Sequence, residues 1–395
     1  MAQSARQQHR NAHAILAFCL PTLLSAMLNS SSSALRQALD QAQRALLIAP
    51  PNPRVGCVLT ADDGRVIGAG HTQRTGSAHA EVMALRDAAA RGHSTQGATA
   101  WVTLEPCSHH GRTGPCCDAL IAAGVKKVVA SIADPNPLVA GQGFARLRAA
   151  GIEVETGPGA EEALELNIGF FSRMIRKTPW VRLKIAASLD GATALPNGVS
   201  QWITSPEARA DGHAWRARAC AVLTGIGTLL ADDPQLDVRL IDTPRQPQRV
   251  IVDSQLRTPP GAALFKAGGP VWIYSAVRDP AKEAALTALG ATVTCLPGNE
   301  GQVDLAAMLQ DLGRREINEL HVEAGSRLNG ALIGAGLVDE FLVYLAPKLL
   351  GPGRGMALFG PLQALSEAVE LEFHATEPVG PDLRILARAA GRDQF

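Results

Sequence analysis

Residues 78–91 read AHAEVMALRDAAAR, and residues 103–117 read TLEPCSHHGRTGPCC. The first stretch is Ala-rich and reads as a helix with His79 and Glu81 at its start. The second runs from the end of a strand, ATAWVTL (98–104), through SHHGRTGP (108–115), a loop by its Gly and Pro content. It then enters a short helix, CCDALIAAG (116–124), that Gly124 ends. Outward from these, ALRQALDQAQRALLI (34–48) carries Leu35, Leu39, Ala42 and Leu46 near helical spacing, and PPNPR (50–54) stops it. VGCVL and RVIGAG flank Asp63-Gly64, a hairpin signal. VKKVVASI (125–132) and EVET (153–156) read as strands around a helix at 144–150. This alternation predicts a three-layer α/β/α domain over residues 27–172.

The spacing also sets the chemistry. His79, Cys107 and Cys116 offer one nitrogen and two thiolates, a donor set that suits Zn²⁺ and leaves a fourth position for water. A metal there makes the water acidic enough to act as a nucleophile at neutral pH. Glu81, two residues after the histidine, is then free to shuttle a proton and is the candidate catalytic residue. Cys117 adjoins Cys116, so the residues alone leave open which of the two is the ligand. A closed structural zinc is the main competing reading, with His109 or His110 as fourth ligand. The pattern H-x-E…P-C resembles that of the zinc-dependent base deaminases, whose usual second element is P-C-x-x-C. Here eight residues separate the cysteines, and His109, His110 and Arg112 come with them. Asn52, before Pro53, is a candidate for reading a pyrimidine edge. The alternative is a turn Asn before proline.

Composition narrows the classes. The chain has 395 residues, with 37 Lys+Arg against 37 Asp+Glu. Residues 1–175 hold 15 basic and 13 acidic residues and the remainder 22 and 24, so neither part has the basic excess of a nucleic-acid binder. Aromatics at 4% argue against a base-stacking platform. Hydrophobic residues at 46% provide real cores, and the length suggests two domains. Seven cysteines are odd in number and scattered, which is no disulfide framework. Cys19, Cys57, Cys220 and Cys295 read as small buried apolar residues. The run AILAFCLPTLLSAML (14–28) follows Arg6 and Arg10 like a signal-peptide core, but Pro21 interrupts it and no small-x-small cleavage site follows. It is short for a membrane span. Residues 1–26 are therefore expected to be a dispensable extension, and the protein to be soluble and cytoplasmic.

KTP (177–179) is a plausible joint, and VRLKIAASLDG (181–191) opens a second α/β series over residues 180–395. Its strand candidates are 221–225, 249–253, 271–275, 291–295, 319–323 and 340–346. Ser205-Pro206 read as a helix cap and first helical residue, and LEFHATEPVGPDLRILARA as a terminal hairpin. GIGTLL (225–230) begins like G-x-G-x-x-G but has Leu230 at the third glycine, too weak a match for a dinucleotide fingerprint. Together with VEAGSRLNG (322–330) it gives two strand-to-helix turns where backbone N–H groups can meet phosphate. Two such turns favour a nucleotide cofactor. Arg216 and Arg239 are candidate phosphate forks.

Laid end to end, these motifs resemble one family. HAEVMALRDA, VTLEPCSHHGRTGPCCDALI and DPNPLVAGQG are similar to the deaminase half of the bifunctional riboflavin-biosynthesis deaminase–reductases. KIAASLDGATA, SQWITSPEAR, LTGIGTLLADDPQLDVR, VIVDS, HVEAGSRLNGALI and YLAPKLLG are similar to the reductase half. The likeness runs from about residue 34 to 388 in the family's order, and the long cysteine spacing is the form this family uses. It implies a cytidine-deaminase-like first domain and a dihydrofolate-reductase-like second one. It further implies loss of the 2-amino group of 2,5-diamino-6-(5-phosphoribosylamino)pyrimidin-4(3H)-one, then NADPH-dependent reduction of the ribosyl group of 5-amino-6-(5-phosphoribosylamino)uracil to ribityl. By matching motif, zinc falls to His79, Cys107 and Cys116 and the proton shuttle to Glu81. NADPH contacts fall to Ala186, Trp202, Thr228, Asp232, Ser254 and the turn Gly325, Ser326, Arg327, Leu328, Asn329, Gly330 and Ala331. Substrate contacts fall to Ser200, Arg216, Leu236, Arg239 and Glu323, with Lys184 a candidate for polarising the ribose. The family also suggests a homo-oligomer. Two rivals remain at this level: a nucleic-acid base deaminase with an appended nucleotide-binding domain, and a non-catalytic zinc-stabilised binding protein.

Overall fold

A computed structural model describes residues 31–109, 114–137 and 139–395. The expectations for residues 1–26, and those naming His110 and Arg112, lie outside the described residues. Two compact units divide between Lys177 and Thr178.

The first unit is a five-stranded sheet in the order β2-β1-β3-β4-β5. Its strands are β1 Gly56–Thr60, β2 Val66–His71, β3 Thr99–Val102, β4 Lys127–Ala130 and β5 Glu153–Thr156. β1 runs antiparallel to β2 and β3, while β3, β4 and β5 are parallel. One face carries α1 (Ser31–Arg44) and α5 (Ala160–Arg176), packed through Leu35, Leu39, Ala42, Ala163 and Leu166. The other carries α2 (Ala80–Ala90), α3 (Cys116–Ala122) and α4 (Gln142–Ala149), which bury Ala84, Ala88, Leu120 and Leu147 on Cys57, Leu59, Ala100 and Val102. The small residues in the sequence explain the closeness of this layer. A Cβ at Gly68 or Gly70 would run into the α2 backbone at Ala84, so the Ala-rich helix lies directly on β2. That contact fixes where α2 begins, and therefore where His79 and Glu81 stand.

The α1 helix ends at Arg44, earlier than the apolar period suggests, and residues 45–48 form turns. α5 is a 17-residue helix with no counterpart among the expectations. Its amphipathic period places Ala163, Leu166 and Phe170 on the buried face, directly before the joint at residues 177–179.

The second unit is built on a nine-stranded sheet in the order β11-β10-β9-β8-β12-β6-β13-β16-β15. The parallel strands are β6 Trp180–Ser188, β8 Ala221–Gly225, β9 Gln248–Val252, β10 Val271–Ser275, β11 Ala291–Cys295, β12 Glu319–Val322 and β13 Glu340–Ala346. The terminal hairpin, β15 Leu371–Val379 and β16 Asp382–Ala389, closes one side antiparallel. A two-stranded ribbon pairs β7 (Ala192–Ala194) with β14 (Arg354–Gly355). Crossover helices are α6 (Pro206–Arg218), α7 (Ile226–Asp232), α8 (Pro280–Ala288), α9 (Leu305–Arg314) and α10 (Ser326–Gly334). Ser205 Oγ accepts from Ala208 N at 3.2 Å, the cap expected from Ser-Pro. Parallel strands buried on both faces need continuous apolar runs, which Val222, Leu223, Val250, Ile251, Leu320 and Val322 supply.

Candidate active sites

In the first unit three elements meet at one point. His79 caps α2, Cys107 follows β3 by way of Pro106, and Cys116 opens α3. His79 Nδ1 lies 3.6 Å from Cys107 Sγ and 3.4 Å from Cys116 Sγ, and the three ligand atoms all lie within 4.8 Å of one another. Tetrahedral zinc with ordinary Zn–N and Zn–S bonds separates such atoms by about 3.5 Å, so the donor set fits that ion. No other such group occurs among the described residues.

The electrostatics agree with a metal site. The hydrogen bond from Cys116 holds the Cys107 thiol down at about 4, and the same pairing pushes Cys116 well up. A divalent cation favours both sulfurs as thiolates, which removes that conflict. Glu81 is 3% exposed and sits in the first turn of α2. Burial, with help from the Cys107 charge, lifts its carboxyl to about 7, which is where a group that takes and returns a proton is effective.

The structure separates the adjacent cysteines. Cys116 faces His79, whereas the Cys117 thiol donates to the carbonyls of Pro106 at 3.2 Å and Gly143 at 3.5 Å. Burial pushes Cys117 up to about 12, an inert thiol. Asn52 lies in the turn between α1 and β1, where its N–H donates to Ala49 O at 2.9 Å. Sequence reasoning missed Glu105, whose carboxylate is buried two residues before Cys107 and accepts from four backbone N–H groups. It also missed Asp134, whose carboxyl burial raises to about 7.

In the second unit the two strand-to-helix turns stand side by side. β8 and β12 are parallel neighbours, and Thr224 Oγ1 donates to Glu323 O at 2.7 Å. Leu328 packs on Gly225, and Thr228 Oγ1 lies 3.7 Å from where a Cβ on Gly325 would stand. Ligands bind at the C-terminal ends of strands in such sheets. Within the α10 turn the residues divide. Asn329 Nδ2 donates to Met356 O at 2.9 Å, and a Cβ on Gly330 would strike the Leu358 carbonyl, so these two serve the packing of the 356–358 segment. Ala186 is on β6, Asp232 is exposed at the end of α7, and Trp202 is 61% exposed beneath the Arg209 guanidinium. Ser254 Oγ accepts from Val303 N at 3.2 Å.

The polar residues on the far side form one network. Arg216 grips Glu323 through both Nε and Nη2, the latter at 2.8 Å, and donates to Asp237 O at 2.9 Å. The guanidinium keeps the Glu323 carboxyl well below its ordinary range against its burial. Arg239 is half exposed and pairs with Asp237 Oδ1 at 2.6 Å. Of the two expected phosphate forks, Arg216 therefore has its bidentate edge filled by Glu323, and Arg239 is the freer. Arg239 N donates to His213 Nδ1 at 3.2 Å; burial, then Arg216 and Arg239, lower His213 to about 4. Lys184 Nζ lies 5.9 Å from the Tyr344 ring centre, with its pKa lowered by burial. Leu236 is buried at a positive φ of 54°, and Ser200 precedes the Trp202 turn.

These features define a zinc-site deaminase unit followed by a parallel-sheet reductase unit in one chain. The model for the cytidine and deoxycytidylate deaminase zinc-binding region matches residues 28–132, and that for the RibD C-terminal domain matches residues 179–385. The riboflavin biosynthesis protein RibD of Escherichia coli K12 is 47% identical over 360 residues, covering 88% of this chain and 96% of that protein. RibD of Acinetobacter baumannii superposes with a TM-score of 0.83 at 40% identity, covering 91% of this chain and 99% of that one. A Thermotoga maritima structure, described as a diaminohydroxyphosphoribosylaminopyrimidine deaminase/5-amino-6-(5-phosphoribosylamino)uracil reductase, gives 0.81 at 32% identity, with the same coverage. The chain belongs to the RibD family, and is a bifunctional deaminase–reductase of riboflavin biosynthesis. No helix among the described residues is long and apolar enough to cross a membrane.

Proposed function

We propose that residues 27–172 deaminate 2,5-diamino-6-(5-phosphoribosylamino)pyrimidin-4(3H)-one at its 2-amino group. Residues 180–395 then reduce the ribosyl group of 5-amino-6-(5-phosphoribosylamino)uracil with NADPH. The observation that carries the first half is the convergence of His79, Cys107 and Cys116 beside a buried Glu81 with a near-neutral pKa. His79, Cys107 and Cys116 hold zinc, which when bound supplies a water acidic enough to attack the ring carbon. Glu81 takes a proton from the attacking water and delivers it to the departing amino group, so that water and the amine become a ring carbonyl and ammonia. Burial excludes bulk water from this exchange.

For the second half, the paired turns at Gly225–Thr228 and Gly325–Leu328 support a nucleotide site. Ala186, Trp202, Thr228, Asp232, Ser254, Gly325–Leu328 and Ala331 would border NADPH, with Asn329 and Gly330 holding that turn on the 356–358 segment; the bound cofactor would supply hydride to C1 of the ring-opened ribose. Ser200, Leu236, Arg216, Arg239 and Glu323 hold the substrate, with Arg239 on its phosphate. Lys184 orients the ribose oxygen from its desolvated position.

The protein works in the cytoplasm, with its phosphorylated substrates and NADPH, and as a homo-oligomer. Exposed Leu349, Leu358, Leu365 and Phe373 line the 349–373 segment and the free edge of β15, apolar surface that a second copy would cover. Purified protein should contain one zinc per chain, release ammonia from the diaminopyrimidine phosphate and then oxidise NADPH. Zinc-loaded chain that does neither would overturn the assignment.

A further inference from the structure

Glu105 has no part in the chemistry above, yet its carboxyl is 3% exposed and stands two residues before Cys107. Among the described residues it pairs with no Lys or Arg. Its compensation is four backbone N–H groups from one segment: Asp134 at 3.2 Å and Gly141 at 2.9 Å on Oε2, Gly143 at 2.9 Å and Phe144 at 3.3 Å on Oε1. A buried carboxylate is costly unless its oxygens are filled, so this arrangement is tolerable only while Asp134 and the Gly141–Phe144 segment keep their place. Two further contacts hold the same joint. The Cys117 thiol bridges the Pro106 and Gly143 carbonyls, and a Cβ on Gly143 would strike Pro106 O. Gly141, the N-cap of α4, adopts φ +82°, and its N–H and the first-turn N–H groups of Gly143 and Phe144 converge on one carboxyl. Pro106 precedes Cys107, so the segment is fastened to the very turn that presents a zinc ligand.

We infer that Glu105 is a positioning residue for the deaminase, clamping Asp134 and the Gly141–Phe144 segment against the turn that carries Cys107. It acts through that segment and touches neither metal nor substrate. Gln at this position keeps the shape but turns an NH₂ toward N–H donors, so the clamp opens while the three ligands remain.

The inference rests on the deamination proposed above, and the wild-type chain tests that reading separately. If the wild type releases no ammonia, the functional reading fails. If it does, Glu105→Gln should retain one zinc per chain and a reductase rate within twofold. Its deaminase kcat/KM should fall about 10²-fold, mainly in KM. Gly143→Ala opens the same joint from the other side and should give the same split. The double variant should be no more than about threefold below the worse single, because both remove one interaction. Glu105→Asp keeps both acceptors one methylene short and should recover at least a tenth of wild-type kcat/KM; it also serves if Glu105→Gln does not fold. A role confined to stability would lower the melting temperature and leave KM per zinc-loaded chain unchanged. That result, loss of zinc in Glu105→Gln, or multiplicative losses in the double variant would overturn the proposal.

Discussion

The two units build their sites in opposite ways. In the first, the proposed zinc ligands His79, Cys107 and Cys116 and the proposed proton carrier Glu81 come together at one point, each with a single task. In the second, the candidate contacts run from Lys184 to Ala331 and come from β6, from α6, from the loops after β7 and α7, and from the segments that follow β8, β9 and β12. A metal concentrates catalytic power in a few ligands and one proton carrier, whereas a cofactor brings its own reactive atom and asks the protein for alignment. Single substitutions should therefore be severe in the first unit and graded in the second.

The sharpest way to break this contrast is Glu81→Gln. It keeps the volume and the three proposed ligands and removes the group proposed to move the proton. Deaminase kcat should fall by about 10³-fold or more, with zinc bound and NADPH oxidation of the uracil substrate unchanged. Retained deamination would mean that another group carries the proton. Next in size is a pair of neighbours. Cys116→Ser should release zinc and abolish deamination, because serine is a poor zinc ligand. Cys117→Ser keeps a donor toward Pro106 O and should hold zinc with a rate within about threefold. Metal analysis of the two variants decides between them, and zinc loss from Cys117→Ser would reverse the ligand assignment.

The same contrast explains what could be read from the sequence. His79-Ala80-Glu81 and Pro106-Cys107 are short patterns whose chemistry needs adjacent residues, so the metal site was legible before any fold was known. The sequence could not say which of Cys116 and Cys117 faces the metal, because that depends on the phase of α3 against β3. Glu105 was invisible because its partners are backbone N–H groups some thirty to forty residues away, which carry no residue-type signal. In the second unit the strands were legible from their apolar runs. The bidentate grip of Arg216 on Glu323 was not, since the two residues are 107 positions apart and no sequence pattern pairs them.

Graded losses are expected in that unit. Arg239→Ala should raise KM for the phosphorylated uracil about tenfold to a hundredfold with a smaller change in kcat, since hydrogen bonds to charged groups contribute roughly 1.5–3 kcal/mol. Deamination should be unchanged. A KM change no larger than twofold would move the phosphate elsewhere. Gly330→Ala acts one step further out, forcing the α10 turn from Leu358. Overpacking costs about 1–3 kcal/mol, and KM for NADPH should rise a few-fold while the uracil KM holds.

The smallest effect should appear in pH dependence, and it too separates the units. His213 is buried between Arg216 and Arg239 and held at about 4, and His321 is lowered by its burial as well. Both are neutral in the folded unit at pH 7, while the unfolded chain begins to protonate its histidines near 6.5. The unfolded state therefore binds more protons as pH falls from about 6.5 toward 4, so stability is full above 6.5 and drains through that window. Protonating His213 in place would set a third positive charge between two guanidiniums and withdraw the acceptor that Arg239 N–H uses. His213→Gln retains an acceptor and cannot titrate, so its stability should vary less between pH 7 and pH 5 than that of the wild type. Tryptophan fluorescence during urea unfolding reports the right unit, because Trp180, Trp202, Trp215 and Trp272 lie in it and Trp101 alone lies in the other. Equal slopes for the two proteins would mean that His321, still present in both, carries the whole dependence, and the same measurement on a variant at that position would then flatten it.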